Sequence, residues 1–173
     1  AVQRETIRVL EDYCSTSISH VGVDGCGAPT PVMSLASLAR GFSRLGQAVA
    51  ERSAELPAAM VARAMLDYPE AVAGRNRPDT VILDDLQLVV KLGADGIVAL
   101  AAPNGTAVAV SMIDSTHRAT HLVALVLLAN FAPEALSVEA MSQVVERIVP
   151  PIYGGNQPVG GIKVAPEVLH LLD

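Results

Sequence analysis

The chain has no tryptophan, three tyrosines and two phenylalanines, yet 51% of its 173 residues are apolar. Its core must therefore be built from alanine, valine, leucine and isoleucine, and a chain of this length can bury one. Cysteine is almost as scarce. Cys14 and Cys26 alone do not make a secreted disulfide framework. Basic residues are outnumbered, with a net charge of −6, a pI near 5.1 and no cluster of lysines and arginines. That balance argues against nucleic acid and anionic membrane as partners. The longest apolar run, Leu122–Ala129, falls far short of the ~20 residues a membrane-spanning helix needs. No basic–apolar–small pattern opens the sequence, and the expectation is a cytoplasmic protein. Repeats, low-complexity tracts and linkers are missing too, so residues 1–173 read as a single domain.

What is present centres on Lys91–Asp114. Asn104-Gly105 between two apolar runs predicts a hairpin with a type I′ turn, which needs positive φ at both central residues. Ile97, Ala99 and Ala101 share one face of the first strand, and Val98, Leu100 and Ala102 the other. Both faces are apolar and both need cover, so the hairpin reads as the middle of a sheet. This predicts an α/β (α+β) architecture, a central antiparallel sheet with helices on both faces.

Helical periodicity places the cover. Val2–Cys14 reads as a helix, and Leu35, Leu38, Phe42, Leu45 and Val49 mark the clearest one. A third starts near Pro57 and ends before Pro69. Asp79 or Thr80 suits the cap of a short helix ending near Leu88, and Asp114-Ser115-Thr116 the cap of a buried helix reaching Asn130. Ser137 opens an amphipathic helix stopped by Pro150-Pro151, and Val159–Val164 offers a last strand.

Few residues carry chemistry. Asp24 and Cys26 are both usable zinc ligands, although a cysteine between two glycines is more often a small buried hydrophobe. Cys14 belongs to a helix stripe and reads as core. Lys91, one of two lysines, is either a strand-edge side chain reaching for water or a cation held at the start of a central strand. In the second case Gly93 leaves room for a ligand beside the backbone, and Lys91 binds a carboxylate or shifts a proton on a nucleophile. Arg77 and Arg75 stand on a Gly/Pro loop, where a carboxylate-binding arginine can be placed, but a solvated loop is the commoner fate. His117 and His121 lie one helical turn apart, with one expected to be a packed polar contact and the other at the rim.

Asp24-Gly-Cys-Gly-Ala-Pro29, followed by Leu38-Ala-Arg40 and Phe42, resembles the rhizobial-type (thermolabile) L-asparaginase family. Val72-Ala-Gly74 with Arg77-Pro-Asp-Thr80, Lys91-x-Gly-Ala-x-Gly96 and Asn156…Val159-Gly160 extend the likeness collinearly over the chain. It is more distantly similar to serine-reactive β-lactamases and glutaminases, where a Lys-x-Gly strand edge faces the serine of a Ser-x-x-Lys helix. The resemblance implies hydrolysis of L-asparagine to L-aspartate and ammonia through a serine acyl-enzyme. It implies that Lys91 is the strand lysine of that constellation, and that Cys26 and Asp24 belong to a zinc site beside the substrate.

The chain also departs from the family. It has no Ser-x-x-Lys, since Leu88 and Gly160 stand three residues before its two lysines. The family's upstream Cys-Ser-Gly-Lys-His segment is missing, and Ser111-Met-Ile-Asp114-Ser115 replaces a lysine and an Asp-Gly on the second hairpin strand. The expectation is therefore the C-terminal half of an asparaginase fold, inactive without its N-terminal half and inclined to form a homo-oligomer. The competing reading is a non-catalytic ligand-binding or dimerising fragment.

Overall fold

A computed structural model describes residues 2–50 and 57–165. Helix α1 (Val2–Tyr13) leads into a small hairpin, β1 (Val21–Val23) and β2 (Pro29–Pro31). Helices α2 (Leu35–Ala50), α3 (Pro57–Asp67), α4 (Pro69–Ala73) and α5 (Pro78–Leu86) follow. Strands β3 (Val89–Leu92), β4 (Ile97–Ala101) and β5 (Ala107–Ser111) come next, then α6 (Thr120–Phe131) and α7 (Val138–Ile148). A second small hairpin, β6 (Ile152–Gly154) and β7 (Gln157–Gly160), completes the described chain. Among the described residues no helix is long and apolar enough to cross a membrane.

The expected mixed α/β fold is observed, and its centre is an antiparallel sheet in the order β3-β4-β5. Val90 pairs with Leu100, Leu100 with Val108, and Val98 with Val110. These larger residues form one buried face, packed with Ile82 and Leu83 of α5 and Leu125 and Leu128 of α6 in a single core. The opposite face carries Ala99, Ala101, Ala107 and Ala109, and α2 lies on it. Small residues there let helix and sheet approach closely. A Cβ placed on Gly46 would run into the Ala102 carbonyl and meet the Ala101 Cβ at 2.9 Å. Alanine is worth ~1 kcal/mol more than glycine inside a helix, but overpacking against backbone costs about 1–3 kcal/mol. Gly46→Ala is therefore expected to lower the urea midpoint; a raised midpoint would mean that the helix moves away at little cost.

Several local expectations need correction. The hairpin is not the middle of the sheet: β4 is central and β5 is an edge. Its turn is not type I′, because Asn104 keeps a negative φ and only Gly105 is positive, at 91°. Pro103 explains this, since its ring fixes φ negative at the first inner position. The Gly105 N–H closes the turn on the Ala102 carbonyl, and Ala102 N–H bonds Thr106 O across a three-residue loop. Asp114 does not cap α6. Its carboxylate accepts from Thr116 N and Oγ1, which turns the chain locally and delays the helix to Thr120. Ser137 does cap α7, accepting from Ala140 N. The last strand is Gln157–Gly160, paired with β6.

Candidate active site

Arg77 comes first in the chain. Pro78, preset for a first helical turn, starts α5, so Arg77 becomes the residue before the helix and makes no side-chain cap. Asp79 and Thr80 fall inside the first turn and are not caps. The Thr80 hydroxyl instead donates to Gly74 O at 2.6 Å, which fastens the Gly/Pro loop to α5. Arg75 pairs with Glu70 on the surface, Nε to Oε1 3.3 Å. The Arg77 side chain is exposed, and among the described residues its guanidinium has no protein partner.

Lys91 lies on β3 opposite Ala99. It occupies an edge strand, one residue from its end, not the start of a central one. Alternate N–H groups of an edge strand point away from the sheet, and that of Leu92 donates to Asp79 Oδ2 at 2.9 Å. Lys91 Nζ donates to Leu92 O at 2.7 Å and stands 3.9 Å from the same Asp79 oxygen. The other carboxylate oxygen, Oδ1, lies 2.6 Å from His121 Nε2.

Asp79 and His121 are both buried, at 2% and 5% exposure. Burial pushes the Asp79 carboxyl up, but the His121 hydrogen bond, the Leu92 N–H and the charges of His121 and Lys91 outweigh it. The net position is below the ordinary aspartate range. Asp79 is thus an anion at neutral pH. A carboxylate only accepts, so His121 donates through Nε2.

Arg77 and Lys91 line one pocket of about 230 Å³ with Val72, Ala73, Pro78, Asp79 and Leu92. Two cations rim it and one carboxylate sits in its wall, which suits a small ligand carrying a carboxylate and a polar amide. Gly93 follows β3; its N–H is taken by Ile97 O, and it does not line the pocket. A larger groove of about 360 Å³ between α1, α2 and α3 is walled by Leu10, Leu38, Phe42, Leu45 and Val61. No charged side chain lines it.

The L-asparaginase II family profile matches residues 1–164. The chain belongs to the L-asparaginase II family. No curated protein matches its sequence. Membership supports an L-asparaginase-like function and a small-molecule substrate such as asparagine. Asp24 and Cys26 of this family member do not line the Lys91 pocket; they lie in the turn between β1 and β2. Asp24 Oδ2 accepts from the Cys26 thiol at 3.3 Å. Cys26 is exposed, which corrects the expectation of a small buried residue.

Among the described residues no third histidine, cysteine or carboxylate joins this pair at metal-binding distance. Two donors do not make a tetrahedral zinc site, so the residues present do not fit zinc unaided. Cys14, by contrast, is buried. Burial pushes its thiol up, partly opposed by Arg40, Arg44 and the Gly41 N–H. A maleimide is therefore expected to label Cys26 promptly and Cys14 only on unfolding; equal rates would contradict the burial.

Sequence reasoning missed the Asp79–His121 contact. One of His117 and His121 was expected to be a packed polar residue and the other a rim residue; His121 is the buried one and His117 is exposed, but the partner of His121 lies 42 positions away. The one signal available was an ionisable residue on an otherwise apolar helix, which demands a partner when buried.

Proposed function

We propose that this chain carries the lysine side of an L-asparaginase active site, with asparagine held between Arg77 and Lys91. The observation that supports it is the shared pocket: two cations from either side of helix α5 line one small polar cavity in a chain of the asparaginase family. The Arg77 fork suits a carboxylate. The Lys91 amine, held at the strand edge, suits proton transfer at the reacting amide. The reaction would convert the side-chain amide and water into a carboxylate and ammonia.

The attacking serine is the part these residues do not supply. The chain has no Ser-x-x-Lys, and a serine without an adjacent base is a poor nucleophile. In this reading the nucleophile comes from a partner segment, as it does from the N-terminal half in the serine β-lactamase and glutaminase likeness. The 173 residues alone bind but do not turn over. Asp24 and Cys26 would provide two ligands of a zinc site completed from elsewhere, and no step is drawn through the metal. The apolar groove between α1, α2 and α3 favours a second reading, a non-catalytic module that assembles by covering that face.

An ammonia-release assay with L-asparagine tests the proposal. The expected result is no release from the chain alone. Release that persists in Lys91→Ala would remove Lys91 from the reaction.

A further inference from the structure

The Asp79–His121 pair has no part in the chemistry proposed above, yet its connections converge on Lys91. One carboxylate oxygen receives the Leu92 N–H at 2.9 Å and stands 3.9 Å from Lys91 Nζ. The Leu92 carbonyl takes the same ammonium at 2.7 Å. Leu92 is thus tied through its carbonyl to the Lys91 amine and through its N–H to α5. Asp79 is in turn fixed from α6, through the 2.6 Å contact with His121. Three elements, β3, α5 and the more distant α6, therefore set the position of one half-exposed amine.

Surface ion pairs hold little geometry, and the 3.9 Å contact alone would not position Lys91. A buried carboxylate hydrogen-bonded on both oxygens is different, because its own place is over-determined. We propose that Asp79 is the positioning residue for Lys91, and that His121 orients Asp79. This rests on the reading that Lys91 meets the substrate, but it can be measured separately from that reading.

The chain has only two lysines, and Lys163 is exposed, so it serves as an internal reference. Lysine-ammonium NMR of the 173-residue chain gives the readout. In the wild type the Lys91 ammonium protons are expected to exchange with water several-fold more slowly than those of Lys163. Asp79→Asn keeps an acceptor for the Leu92 N–H and a group facing His121, but loses the charge and the two-sided grip. The Lys91 signal should then move toward that of Lys163, with the backbone spectrum elsewhere retained. His121→Gln, which can still present a donor near the Nε2 position, should hold the signal near its wild-type place.

An unmoved Lys91 signal in folded Asp79→Asn overturns the proposal. So does wild-type exchange at Lys91 as fast as at Lys163, a result that stands even if the variant does not fold. An L-aspartate titration of the same samples reads the substrate role independently. A Lys91 signal that responds to Asp79→Asn but not to L-aspartate keeps the positioning and rejects the substrate reading.

Discussion

His121→Leu is expected to lower the free energy of unfolding by about 1.5–3 kcal/mol, the cost of leaving the buried Asp79 carboxylate without the hydrogen bond from His121. That is a large share of the ~5–15 kcal/mol that holds a domain of this kind together. Leucine fills similar space, so the loss comes from the stranded Asp79 carboxylate rather than from a cavity. The Leu92 N–H and Lys91 still face it, which places the effect toward the lower end.

The pH dependence has a definite sign. Asp79 titrates below the ordinary aspartate range in the folded chain. Its contribution is therefore complete above that range and is lost as pH falls through the depressed value. Removing His121 takes away the largest of the lowering influences and leaves burial, which raises the carboxyl. Acid should then cost the variant less stability than it costs the wild type, because protonating Asp79 no longer gives up a hydrogen bond from His121 and relieves a buried charge. Urea unfolding at several pH values from neutral downward checks both statements. Parallel curves for the two proteins would show that the pair is not coupled.

The second large effect is on ligand binding. Lys91→Ala is expected to weaken L-aspartate binding roughly 10- to 100-fold, the range set by losing a charge-assisted hydrogen bond worth about 1.5–3 kcal/mol. Stability should hardly change, because the amine is half exposed and its ion pair contributes ~0–1 kcal/mol. Calorimetry and a urea titration on one sample separate the two. Equal losses of affinity and stability would point to a distorted sheet edge instead of a missing ligand contact.

Much of the architecture was legible because it depends on local pattern. The stripe from Leu35 to Val49 became α2, the all-round apolarity of Leu122–Ala129 became the buried α6, and Ser137 capped α7 as expected. Turn chemistry was read less well where two local signals competed. Pro103 overrode Asn104-Gly105 in choosing the turn, and the Asp114 side chain spent its hydrogen bonds on Thr116 instead of a helix end.

The site was only half legible. Arg77 and Lys91 stood out as cations at Gly-rich positions, and the fold brings them to one pocket. Asp79 looked like a helix cap because its partners, Leu92 and His121, are 13 and 42 residues distant. No spacing rule connects such positions; only the fold, which sets α5 against β3 and brings His121 of α6 to Asp79, does. Asp24 and Cys26 were recognised as a pair, and a pair is what the hairpin turn presents.

Backbone amide NMR of the chain during titration with L-aspartate tests the placement of the site most directly. Shifts are expected at Ala73, Lys91 and Leu92, around the pocket shared by Arg77 and Lys91, and they should disappear in Lys91→Ala. Shifts confined to the turn at Asp24–Gly27, or none at saturating ligand, would contradict the assignment of the substrate to this pocket.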